Sequence, residues 1–203
     1  MTHASQLGFF LSPARFRHRL TPNPTSNALM AAIYLWGSKL SSSSTLRSRE
    51  PAFADRATQA AVALQATSPA ATGLLYTIQA EVLLANYFFS HGRLLEGRYH
   101  ALAAVALVTG SQLHQLDPRV LSAGGDTVTA GERVRAFWTV ASLDKVWSVA
   151  MNTPACMSQN GRASIHISTP WPLSPEAYEQ VSCARCVCCD PRRVLTVFFY
   201  PPS

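Results

Sequence analysis

The stretch Ile78–His100, IQAEVLLANYFFSHGRLLEGRYH, constrains the fold more than any other part of the chain. It reads as two helices meeting at a tight turn. Ile78, Val82, Leu83, Leu84, Tyr87, Phe88 and Phe89 make the first helix apolar on nearly every side, with only Gln79, Glu81 and Asn86 interrupting. A helix that is apolar all round lies in a membrane or among other helices. Glu81 breaks the run and Ser90-His91-Gly92-Arg93 ends it, short of the ~18 consecutive apolar residues that spanning requires. The stretch therefore predicts the central helix of a soluble bundle, with no membrane partner.

Prolines and caps divide the rest. Pro13, Pro22 and Pro24 predict an irregular segment over residues 1–26. Asn27 can cap a first helix that stops near Gly37, and Ser41 to Ser44 reads as a linker. Pro51 suits the first turn of a second helix reaching about Gln65, with Phe53, Ala57, Ala60 or Ala61 and Leu64 on one side. Ser68-Pro69 repeats that grammar and opens the buried helix that ends near Ser90. A fourth helix is expected from Leu94 to Val108, with Gly110 suited to the left-handed turn beyond it. Leu116 to Val128 reads as a loop. Thr129-x-x-Glu132 has the form of a capping box for a fifth helix from Gly131 to about Met151, with Phe137, Trp138, Val140, Ala141, Val146 and Trp147 at helical spacing. Pro154, Pro170, Pro172 and Pro175 mark an extended tail. The fold class expected is all-α, a multi-helix bundle of antiparallel helix pairs with irregular N-terminal and C-terminal segments.

At 203 residues, 48% apolar and 14% charged, the chain can bury one sizeable core. Its formal net charge of +6 rests on arginine, since Lys39 and Lys145 are the only lysines. The arginines are scattered, so the long basic run of a nucleic-acid binder is missing. Phe9-Phe10-Leu11 is too short for a secretory core, and Pro13, Arg15 and Arg17 follow it on the wrong side. Four of the five cysteines crowd together, unlike a secreted disulfide framework, which points to a reducing, intracellular compartment.

That cluster, Cys183, Cys186, Cys188 and Cys189, gives the weak metal candidates. Four thiolates suit tetrahedral zinc, and a Cys-x-x-Cys pair is the usual half-site. Adjacent Cys188 and Cys189 point to opposite faces of an extended chain, however, so an accidental segment is the better reading. Among His3, His18, His91, His100, His114 and His166, His91 ends a helix, where an imidazolium meets the helix dipole. His100 and His114 lie fourteen residues apart with no carboxylate at ligand spacing, and local satisfaction is expected for the six. Asp144 is expected to be buried and paired with an arginine of a neighbouring helix. Trp36, Tyr76, Tyr87, Phe88, Phe89, Tyr99, Phe137, Trp138 and Trp147 read as core before ligand pocket. There is no G-x-S-x-G, H-E-x-x-H, P-loop or G-x-G-x-x-G motif, so no enzyme, catalytic residue or bound cofactor is expected.

Five segments in order carry a resemblance. They are QLGFFLSPARF (Gln6–Phe16), ALMAAIYLWGSKLS (Ala28–Ser41), IQAEVLLANYFFSHGRLLEGRYHALAAVALVTGSQLH (Ile78–His114), GERVRAFWTVASLDKVWSVAMNTPACMS (Gly131–Ser158) and TPWPLSPEAYE (Thr169–Glu179). Together they resemble the fungal-specific transcription factor domain, the middle homology or xylanolytic activator regulatory region of binuclear zinc-cluster regulators. The resemblance implies a helical regulatory domain in the nucleus, controlling transcription by RNA polymerase II. It implies that DNA and zinc are held by a separate six-cysteine cluster, so that no residue here inherits a DNA-binding or zinc-ligand role. Protein co-regulators or a second copy of the chain are the partners it leaves open.

The chain departs from that pattern after Gln180, where CARCVCCDPRRVLTVFFYPPS replaces further helices. The expectation is a truncated regulatory domain over 27–180 and an atypical, non-native tail over 181–203, read past a natural exon boundary. The alternative is a stand-alone helical interaction module without DNA binding.

Overall fold

An all-round apolar helix must be surrounded, and α5 (Ala71–Ser90) is. In the computed structural model, which describes residues 6–18, 24–65, 71–117, 126–157 and 165–173, Ile78, Val82, Leu83, Leu84, Tyr87, Phe88 and Phe89 are all buried. Four helices enclose it: α2 (Pro24–Lys39), α4 (Glu50–Gln65), α6 (Leu94–Gly110) and α7 (Thr127–Ala150). Two short helices, α1 (Pro13–His18) and α3 (Ser44–Arg47), and a 3-10 turn at Leu113–Gln115 complete the regular elements. The described residues contain no strand, so the fold is all-α as expected.

The α5–α6 hairpin turns at Gly92, whose φ of +71° places it in the left-handed region that glycine tolerates. The Gly92 N–H donates to the Phe89 carbonyl at 3.0 Å and the Arg93 N–H to the Phe88 carbonyl at 3.0 Å. This 5→2 and 6→1 pair closes the last turn of α5 and starts α6 antiparallel to it. At the end of α7, Asn152 takes the same left-handed role at φ +51°.

Several boundaries differ from the sequence reading. Asn27 lies inside α2, which starts three residues earlier on Pro24, and the helix runs through Gly37 to Lys39. The serine linker contains α3. Gly110 is the last residue of α6, and the left-handed residue beyond it is Gln112, at φ +58°. The segment expected to be irregular carries α1, and its Phe10, Leu11 and Phe16 belong to the core. Ser68-Pro69, residues 118–125 and Pro175 lie outside the described residues.

The capping box expected from Thr129 and Glu132 does not form. Asp126 caps α7, its carboxylate accepting the Thr129 N–H at 3.3 Å and the Thr129 hydroxyl at 2.7 Å. The helix thus begins a turn before Thr129. Glu132 is turned into the core instead, where it accepts the Ser12 N–H at 2.8 Å. Burial alone would raise the Asp126 carboxyl, but Thr129 and the Arg15 guanidinium hold it well below the usual carboxylate range.

At the other end of the described chain, an extended segment over 165–173 is clasped against the 3-10 turn and α7. Ser168 donates its N–H to the His114 carbonyl at 3.0 Å, and the Trp138 indole donates to the Pro170 carbonyl at 2.7 Å. Trp171 stacks on Trp138 at 4.0 Å.

Gly97 sets the α5–α6 separation. A Cβ there would meet the Phe89 ring at 2.5 Å, and that ring is backed by Trp147 at a 3.8 Å centroid distance. Intrinsic propensity favours alanine over glycine in a helix by about 1 kcal/mol. Gly97→Ala should nonetheless destabilise the protein by about 1–3 kcal/mol through overpacking. Chemical denaturation checks this, and Phe89→Leu in the same background should recover most of the loss. An unchanged midpoint for Gly97→Ala would contradict the close crossing.

Candidate functional site

Inside a low-dielectric core each polar side chain needs a partner, and α5 carries several such groups in its buried stretch. Gln79 and Glu81 are fully buried. Gln79 accepts the Phe10 N–H at 2.7 Å and donates to the Gly8 carbonyl at 3.0 Å, binding the N-terminal segment on both sides of Phe9. Asn86 donates to the Leu7 carbonyl at 3.1 Å.

Glu81 meets His100 of α6. Nδ1 of His100 lies 2.6 Å from Oε2 of Glu81, and the two side chains are 2% and 1% exposed. Phe88 stacks on the imidazole at 5.3 Å with planes 8° apart, and Tyr99 meets its edge at 5.2 Å. A carboxylate partner for a histidine was not expected from the sequence. The antiparallel hairpin supplies it, folding residue 100 back onto residue 81. The second carboxyl oxygen, Oε1, is buried without a hydrogen-bond partner.

The pair has two electroneutral forms: imidazolium with carboxylate, or a carboxylic acid donating to Nδ1 of a neutral imidazole. Both avoid a net charge in the core, which is costly. His100 and Phe88 line the base of a cleft of about 460 Å³. Asp55 and Thr58 of α4 form one wall, and Arg93, Glu96 and Tyr99 form the other. Arg93 is bonded to Glu96 at 2.9 Å and lies 4.6 Å over the Phe88 ring.

A second polar cluster joins α2, α4 and α5. The Tyr87 hydroxyl donates to Glu50 at 2.9 Å, and burial together with that carboxylate pushes its pKa up to about 12. His91 ends α5 as expected, with Nδ1 2.9 Å from the Tyr87 carbonyl and Nε2 3.1 Å from Glu50. Lys39 lies over the Trp36 and Tyr87 rings, and partial burial lowers its pKa although Glu50 opposes the shift. This cluster fastens helices together.

Asp144 is buried, but its observed partner is not the expected arginine: Oδ2 accepts the Met157 N–H at 2.8 Å. Cys156 beside it is an exposed residue whose thiol pKa is raised by partial desolvation and by the Asp144 charge. Of the aromatics, Trp36, Tyr76, Tyr87, Phe88, Phe89 and Phe137 are core. Trp138 and Trp147 are half-buried against that core and also line an open groove of about 700 Å³ between the N-terminal segment and α7, whereas Tyr99, expected in the core, is exposed. The four clustered cysteines, Cys183, Cys186, Cys188 and Cys189, lie outside the described residues. Among those described, no group of histidine, cysteine, aspartate or glutamate could hold a metal ion, and no helix is long and apolar enough to cross a membrane.

Removing one member of a buried pair strands the other, whereas replacing both with apolar residues does not. Glu81→Leu should therefore cost about 3–5 kcal/mol. The double variant Glu81→Leu/His100→Phe should recover most of that in urea denaturation. A double variant no more stable than the single one would contradict the pairing.

The sequence also matches a family model, described as the fungal specific transcription factor domain, over residues 9–170. No curated protein and no solved structure matches the chain.

Proposed function

The chain belongs to the fungal specific transcription factor domain family, and from that premise we propose that it is the regulatory region of a zinc-cluster regulator controlling RNA polymerase II transcription in the nucleus. The observation that carries this reading is the extent of the match. It runs from Phe9, within the segment held by Gln79, to Pro170, which accepts the Trp138 indole. The matched stretch is therefore the core itself.

In this reading DNA and zinc belong to a separate cluster of six cysteines, and this chain has five in all. Its own work is to restrain or direct an activator through contacts with protein. Leu95, Tyr99 and Leu102 share one exposed face of α6, and Val146 and Val149 share an exposed face of α7, apolar surface of the kind protein partners cover. No catalytic step is assigned to Glu81 and His100, which hold each other inside the core. The same apolar faces favour the second reading, a stand-alone interaction module.

The test places the chain between a heterologous DNA-binding domain and an activation domain in a fungal reporter strain. Reporter transcript should fall relative to the fusion lacking the chain, and the isolated chain should give no specific gel shift. An unchanged transcript with the fusion present in the nucleus would overturn the regulatory reading. A specific shift would overturn the assignment of DNA contact to a separate cluster.

A further inference from the structure

We propose that the exposed face of α6 is an interface between two copies of this chain, packed antiparallel about a two-fold axis that passes between Leu102 and Ala103. The inference stands apart from the regulatory reading, which a monomer would serve equally.

α6 resembles α5 in composition but not in surroundings. From Ala101 to Gly110 it has no charged residue, and Thr109 is its one polar side chain. That hydroxyl donates to the Val105 carbonyl at 2.8 Å, within the helix. A helix with no polar side is ordinarily enclosed. α5, α7 and the 3-10 turn enclose one side of α6, where Gly97, His100, Ala101, Ala104, Val105 and Val108 are buried. On the other side Leu95, Tyr99, Leu102, Ala106 and Gly110 are exposed and Ala103 is half-buried. At 3.6 residues per turn these six positions share about a third of the circumference.

They form two rows of i, i+4 spacing with different relief. Leu95, Tyr99 and Ala103 make a row that is tall at its N-terminal end. Leu102, Ala106 and Gly110 make one that falls away toward its C-terminal end. An antiparallel second copy sets each row against the other, placing Leu95 on Gly110, Tyr99 on Ala106 and Leu102 on Ala103. Each large side chain then meets a small one at both symmetry-related places, the self-complementarity that a two-fold interface requires. Packing between i, i+4 rows is also the commonest class of helix contact. A parallel pair would put Tyr99 on Tyr99 and Ala106 on Ala106, a clash beside a void. Charge selects the same arrangement. Glu96 and Arg98 lie toward the N-terminal end of α6, and the antiparallel pair sets them opposite Thr109 and Leu107, whereas a parallel pair stacks like on like. Because one face carries both halves of the match, it fits a second copy of itself. Its 17 residues give α6 a length of about 25 Å. One such helix pair falls short of the roughly 1,200–2,000 Å² of a standard interface, so the dimer is reversible, with a Kd of about 1 µM or weaker.

Sedimentation equilibrium of the full chain, under reducing conditions and up to roughly a hundredfold above that Kd, is the test. A reversible monomer–dimer equilibrium is expected. Tyr99→Lys and Ala106→Glu should each weaken it about tenfold or more, by placing an unpaired charge in the contact. Mixed one to one, the two variants should recover most of the parent association. In that heterodimer the introduced charges face each other, and the second contact is still Tyr99 on Ala106. Leu95→Glu alters a side chain that is 84% exposed, so it should repeat the loss while keeping the urea midpoint and helical circular dichroism of the parent. Three results would each overturn the proposal: a monomer at every concentration, which leaves the face to a different partner; an undiminished dimer in folded Leu95→Glu; or no recovery on mixing the two folded variants. None of them bears on the reporter experiment, so the two readings fail separately.

Discussion

A helix buried on all sides must find an internal partner for every polar side chain it carries, and that constraint on α5 organises this structure. Hydrophobic burial drives neighbouring helices against it but is indifferent to their register. The polar residues are not indifferent. Gln79 and Asn86 fix the chain from Leu7 to Phe10, Glu81 fixes α6 through His100, and Tyr87 fixes α4 through Glu50. Each bond is modest in net free energy, about 0.5–1.5 kcal/mol, yet leaving any of these groups unpaired costs more. The arrangement that gives each of these side chains a partner is therefore strongly selected over its near neighbours.

The same logic extends outward from α5. Glu132 of α7 holds Ser12, and Arg15 meets Asp126 at the start of α7, so the N-terminal segment is strung between two helices that are distant in sequence. The segment over 165–173 is held on the opposite margin by Trp138 and the 3-10 turn. Both ends of the family match are thus parts of one packing unit. His100, held by Glu81 at one nitrogen, also lines the cleft beside α4.

Much of this was legible in the sequence. The period and apolarity of Ile78–Phe89 fixed α5 as the central helix, and the tight turn before α6 falls where Ser90–Arg93 placed it. Gln79, Glu81 and Asn86 were visible as interruptions, but their partners were not, because those partners lie 69, 19 and 79 residues away. Local patterns misled where a tertiary contact competed with them. Thr129-x-x-Glu132 has the form of a capping box, yet Asp126 caps the helix and Glu132 answers a backbone N–H 120 residues away. The metal candidates Cys183, Cys186, Cys188 and Cys189 fall outside the described residues, whereas the cleft is built from Asp55, Thr58, Phe88 and His100, which no short motif links.

The central claim, that buried polar groups of α5 and not apolar packing alone hold the surrounding segments in place, is tested most directly by hydrogen exchange in Gln79→Leu. This substitution keeps the helix apolar and removes the acceptor for one amide. The Phe10 amide should lose its protection, while the Ser12 amide, held by Glu132, and the amides of α5 and α6 should keep theirs. Phe10 remaining as protected as in the parent, with the fold intact, would contradict it.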